Sequence, residues 1–132
     1  MIKFGKRFDE YAYRVAKLDL DPSVTELEEG QFVTIKGRKL VLANKTDKKA
    51  FIATGSHRQG RDQIAGKPIQ KVAFLLGTAM LTITNFDTTK VYGDLTPLTV
   101  VDGTITTASD GDLVVAHSVA APVSGELEII IG

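Results

Sequence analysis

The chain has 132 residues, 43% of them hydrophobic, which suits one folded domain with a substantial core. It has no cysteine, so disulfides and thiolate metal sites are excluded as sources of stability. The 16 basic and 16 acidic side chains cancel, yet they are segregated: residues 1–71 hold 15 bases against nine acids (+6), and residues 72–132 hold one base against seven acids (−6). Such asymmetry fits a polyanion partner, or contact between one half of a subunit and the other half of a neighbour. It equally fits strand pairing that interleaves the halves. The N-terminus, MIKFGKRFDEYAYRV, lacks the continuous apolar core of a signal peptide. The longest apolar run, Val72 to Ile83, is broken by Gly77 and is too short to span a bilayer. The expectation is a soluble protein, kept or assembled in a cytoplasm, with no membrane partner.

Residues 1–21 mix charge with aromatics: Phe4, Phe8, Tyr11 and Tyr13 are four of the nine aromatic side chains. Helical spacing (Phe4, Phe8, Tyr11, Val15) and strand alternation (Tyr11, Tyr13, Val15) are both present. Gly5 and the lack of a cap weigh against a helix. We read residues 1–22 as an extended N-terminal arm that orders against a partner, because so many aromatics are costly to leave in water. The competing reading folds the arm back onto its own domain. Asp21-Pro22-Ser23 is a breaker, and the domain proper is expected over residues 23–132.

Within that domain Gln31–Ile35 reads as a strand, Lys36-Gly37-Arg38 as a tight turn, Lys39–Ala43 as the return strand and Ala50–Ala53 as a third strand after a polar loop. The longest loop is Thr54–Pro68, with Gly55, Gly60 and Gly66. It has the glycine pair of a P-loop but lacks the Lys-Ser/Thr pair, so a partner contact is the better reading than phosphate binding. Val72–Leu76 and Ala79–Thr84 read as two strands around Gly77-Thr78, apolar enough for burial on both faces. Asp102-Gly103 and Asp110-Gly111 lie between β-branched runs, and Asp-Gly is a strong hairpin signal. They predict a three-strand meander over Gly93–Ala121. Leu127, Ile129 and Ile131 share one face of a closing strand. The expected fold is all-β: a small antiparallel β-barrel or β-tulip/sandwich of about nine short strands.

Few residues could carry chemistry. His57 and His117 are the only histidines and lie far apart without metal-ligand spacing, so no metal or other cofactor is expected. His57 reads as a solvated loop residue. Asp110 and Asp112 flank Gly111, and the turn explains them without calcium. Nothing assembles a nucleophile, base and orienting group, so the chain reads as a non-enzyme. Basic residues precede aromatics in the arm (Lys3-Phe4, Arg7-Phe8), but the acidic C-terminal half argues against nucleic acid. Sugar binding by the loops would lack tryptophan for stacking.

Two stretches, EEGQFVTIKGRKLVLANKTDKKAFIAT (28–54) and GDLTPLTVVDGTITTASDGDLVVAHSVAAPVSGELEIII (93–131), give the chain a recognisable outline. It resembles the small capsid decoration, or cement, proteins of tailed bacteriophages. The N-terminal stretch is similar to that group's glycine, strand, turn, strand, polar loop, AF-strand opening. The C-terminal stretch is similar to its PLxV…DGxLTxA…GDxVVA ending. The resemblance covers residues 24–132 in layout and does not extend to the arm. It implies a non-enzymatic virion protein on the capsid surface that binds the major capsid protein as a homo-oligomer, a trimer before a dimer. In that reading Phe4, Arg7, Phe8, Tyr11, Tyr13 and Arg14 are the capsid-contact candidates, and His57, Arg58 and Arg61 the loop-contact candidates. The alternatives are another phage head or tail module and a nucleic-acid-binding β-barrel.

Overall fold

The computed structural model describes residues 2–4, 13–58 and 71–132. All its regular elements are β-strands: β1 (Ile2–Phe4), β2 (Tyr13–Asp19), β3 (Glu26–Leu27), β4 (Phe32–Lys36), β5 (Lys39–Leu42), β6 (Phe51–Ile52), β7 (His57–Arg58), β8 (Lys71–Gly77), β9 (Ala79–Ile83), β10 (Pro97–Val101), β11 (Thr104–Thr107), β12 (Ala116–Ser118) and β13 (Leu127–Ile131). Six of them form one antiparallel sheet in the order β1-β9-β13-β12-β10-β11. The others form the sheets β5-β4-β6, β2-β8 and β3-β7, also antiparallel.

Alternation explains the large sheet. Leu127, Ile129 and Ile131 of β13 are buried while Glu128 is exposed, and they stand opposite Ile83, Leu81 and Ala79 of β9, which are buried too. Successive side chains of a strand point to opposite faces, so each strand contributes every second residue to the core. Each such aliphatic side chain stabilises the fold by about 1.5–3 kcal/mol on burial.

There are two cores. One lies under the six-stranded sheet and holds Phe32, Leu75, Leu81, Ile83, Val100 and Ile129. The other holds Leu20, Leu27, Val33, Leu40, Val72 and Phe74. Phe32 and Val33 are consecutive, as are Phe74 and Leu75, and in each pair the two residues face different cores. Strands β4 and β8 are therefore walls shared by both. Single bridges at Leu20–Leu40 and Ala53–Phe74 join the smaller sheets. The Asp21 amide donates to the Leu40 carbonyl (2.8 Å) and the Thr54 amide to the Ala73 carbonyl (3.0 Å). Strands β5, β4, β6, β8 and β2 thus succeed one another around the second core. Two of those joints are single bridges rather than ladders, so the sheets stay separate and do not close into one hydrogen-bonded barrel.

The Asp102-Gly103 turn joins the two halves. Both residues have positive φ (47° and 80°), which makes β10–β11 the expected type I′ hairpin. The Gly103 amide donates to the Ala43 carbonyl and the Gly103 carbonyl accepts from the Phe32 amide, each at 2.8 Å. The turn is thereby plugged between the ends of β4 and β5. Asn44 fastens it: its Oδ1 accepts from the Asp102 amide (2.8 Å), and its Nδ2 donates to the Asp102 carboxylate (3.4 Å).

Four expectations change. The strands are thirteen among the described residues, because several pairings are only two or three residues long. The meander is not formed: β12 pairs with β10, on the side away from β11. The free edge of β11 is taken by Phe86, which bridges Ile105, and by Asp87, whose amide donates to the Ile105 carbonyl (2.8 Å). The Asp110-Gly111 pair serves instead a tight loop in which the Asp112 amide donates to the Ser109 carbonyl (3.1 Å). Residues 13–20 do not stand off as an arm, since Tyr13–Asp19 pairs along its whole length with β8 and Leu20 is buried. Strand pairing also does not interleave the charged halves. Apart from β1, the large sheet is drawn from residues 79–131 and the other sheets from residues 13–77.

Candidate functional site

The sequence-derived contact residues fall into two groups. In the first, Phe4 ends β1, where its backbone stands opposite Leu81 at the edge of the large sheet. Tyr13 and Arg14 open β2 opposite Gly77 and Leu76, and Arg14 is exposed. Arg7, Phe8 and Tyr11 lie outside the described residues. Phe4 and the Tyr13-Arg14 pair are thus carried on different sheets.

In the other group the position of His57 is a correction. It is 4% exposed and sits in β7 opposite Leu27, so it is a packed residue and not a solvated loop side chain. Its Nε2 has no hydrogen-bond partner among the described residues. Arg58 follows, with its backbone opposite Glu26. Arg61 and the rest of the loop from 59 to 68 lie outside the described residues. His117 projects outward from the middle of β12 and is exposed. No three His, Asp or Glu side chains gather in a set that could hold a metal ion among the described residues.

One groove, of about 560 Å³ and walled mainly by threonine and charged residues, was not legible in the sequence. Its floor is the outer face of the β10–β11 hairpin, where Thr99 stands opposite Thr106 and Val101 opposite Thr104. Lys45, Ser109 and Asp112 line it together with Asp87 and Lys90. Both carboxylates are held. Asp87 Oδ1 accepts from the Thr89 hydroxyl (2.6 Å) and amide (3.0 Å), and its Oδ2 accepts from Thr106 (3.2 Å). The Thr89 hydroxyl, and then its amide, hold the Asp87 carboxyl below its ordinary value. Asp112 Oδ2 accepts from the Ser109 amide (2.9 Å). Thr99 is 1% exposed, and its hydroxyl has no partner among the described residues. A buried hydroxyl left unpaired costs about 1–3 kcal/mol, so a packing role alone would be better served by valine. The available signal was the run of threonines at 99, 104 and 106, which alternation places on one face. Another groove, of about 390 Å³, is mostly apolar, with Phe51, Leu75, Leu76 and Val114 among its walls.

Tyr92 anchors the segment that carries Asp87. Its hydroxyl donates to the Asp87 carbonyl (2.7 Å), and its ring meets Phe86 edge-on with centroids 5.6 Å apart. Burial, with the Asp87 charge adding to it, pushes the phenol from 10.0 up to about 12. The folded state therefore keeps this proton longer than the unfolded chain does. The stability it contributes is complete below about pH 10 and is lost as pH rises toward 12. The Tyr92→Phe variant is expected to be about 1 kcal/mol less stable than the parent at pH 7, through the lost hydrogen bond. That gap should narrow as pH climbs through this window, which urea unfolding at stepped pH will measure.

No protein family, curated protein or solved structure matches the chain.

Proposed function

We propose that the chain is a non-enzymatic structural protein of a tailed-phage particle, seated on the outside of the head and tying neighbouring major capsid subunits together. The outline of residues 24–132 suggests the particle. The observation that carries the reading is the division of charge between sheets. The cationic stretch Lys36–Lys49 belongs to β4, β5 and the loop after them, whereas Asp102, Asp110, Asp112, Glu126 and Glu128 belong to the six-stranded sheet and its turns. Each copy thus carries an excess of cations in its smaller sheets and an excess of anions in its large one. Such uneven charge suits a protein repeated about a symmetry axis, a trimer before a dimer, in which many weak contacts act together.

In this reading the aromatics of the first residues are the capsid anchors, since aromatic and arginine side chains dominate interface energetics. The triple variant Phe4→Ala, Phe8→Ala, Tyr11→Ala is expected to keep its unfolding midpoint within a few degrees and to lose particle binding by about tenfold or more. Thermal unfolding checks the first, and co-sedimentation with heads of the encoding phage stripped of this protein checks the other. Full occupancy by the variant sinks the anchor assignment. Absence of the protein from purified virions under immunogold labelling sinks the whole reading.

A further inference from the structure

We propose that the threonine-floored groove on the outer face of the β10–β11 hairpin binds a neutral saccharide. The inference is independent of the particle to which the protein attaches.

The groove's chemistry selects the ligand class. Lys45 and Lys90 line it together with Asp87 and Asp112, and no ion pair within 4.0 Å joins them among the described residues. The four charges sum to zero. An anion entering would meet two carboxylates, and a cation two ammonium groups. A sugar hydroxyl both donates and accepts, and so satisfies either kind of group. The carboxylates are already fixed, Asp87 by Thr89 and Thr106 and Asp112 by the Ser109 amide, so accepting from a ligand costs them little further ordering. Thr104 accepts a long bond from Gln31 (3.5 Å) and keeps its own proton to donate. Val101, 45% exposed between the threonines, offers a patch for the C–H face of a ring.

Thr99 is the second, independent observation. It lies among the lining residues, almost wholly buried, and its hydroxyl is unpaired among the described residues. A ligand hydroxyl that paired with it would relieve the cost of leaving it unpaired. No aromatic ring lines the groove, so recognition rests on hydrogen bonds and reads hydroxyl configuration. Binding is correspondingly weak and sensitive to the loss of a single partner.

The test is a titration of the full ¹⁵N-labelled chain with glucose, galactose, mannose and lactose, and with sodium phosphate in parallel. At least one sugar is expected to shift the amides of Thr99, Thr104–Thr107 and Asp87–Lys90 saturably, while phosphate leaves them in place. The Thr99→Val variant should be at least as stable as the parent, because an unpaired buried hydroxyl is gone, yet bind roughly fivefold more weakly. The Lys90→Ala variant changes only an exposed side chain and should weaken binding similarly, so the test survives if Thr99→Val fails to fold. No sugar shifting these amides overturns the proposal. So do shifts with phosphate alone, and so does a folded Thr99→Val variant that binds sugar like the parent.

Discussion

The Gly103→Ala variant is expected to lower the free energy of unfolding by about 3 kcal/mol, whereas Gly111→Ala lowers it by only about 1 kcal/mol. Both glycines follow an aspartate and both have positive φ, 80° and 87°. The backbone penalty for a side chain there is alike in the two, about 1 kcal/mol or slightly more. The difference lies in the space around them. A Cβ at Gly103 would stand 2.9 Å from the Phe32 carbonyl oxygen and 2.9 Å from Leu42 Cδ2, while one at Gly111 would meet nothing within 4 Å. The carbonyl is backbone, held by its own hydrogen bond from the Ala43 amide (3.0 Å), and cannot give way without loosening the plug between β4 and β5. Urea unfolding of the two variants beside the parent gives the comparison. Equal losses would mean that the hairpin tip does not couple the halves of the molecule.

Phe32→Ala should cost about 4 kcal/mol and Val33→Ala about 2 kcal/mol, and each should still unfold in a single transition. The first truncation empties part of the core beneath the large sheet and the second part of the other core. The side chains are 1% and 0% exposed, so neither site can refill from solvent. If the cores were independent, Val33→Ala would uncouple the smaller sheets and produce a second, earlier transition. Strands β4 and β8 each supply neighbouring residues to both cores, so loss of either core removes a wall of the other. Following far-ultraviolet circular dichroism and tyrosine fluorescence through one denaturant series shows whether the two signals coincide.

Local signals in the chain were reliable wherever two strands meet across a short turn. Lys36-Gly37-Arg38-Lys39 and Val101-Asp102-Gly103-Thr104 carry their hairpins in a few residues, because the turn fixes the register. The alternation in Leu127–Ile131 likewise identified its buried face. The Asp-Gly at 110 misled because pairing also needs a free edge, and β11 has its edge occupied by Phe86 and Asp87, from a segment well upstream. No window around Asp110 contains that fact. The burial of His57 was hidden for the same reason, since its partner Leu27 lies far away in sequence. At the groove the threonines could be placed on one face, but the lysines and aspartates around them arrive from separate loops. The charge division was visible as numbers, and only the topology decided that pairing would preserve it.

That division has a physical corollary. In a body with no net charge and a sequence pI near 6.7, the smaller sheets carry an excess of cations and the large sheet an excess of anions, so charge is unevenly distributed. Near neutral pH no overall repulsion keeps copies apart, and the unlike regions of two copies attract. Dissolved salt screens such attraction over about 10 Å at 0.1 M. Any association between copies is therefore expected to weaken as electrolyte is added and to be strongest in dilute solution.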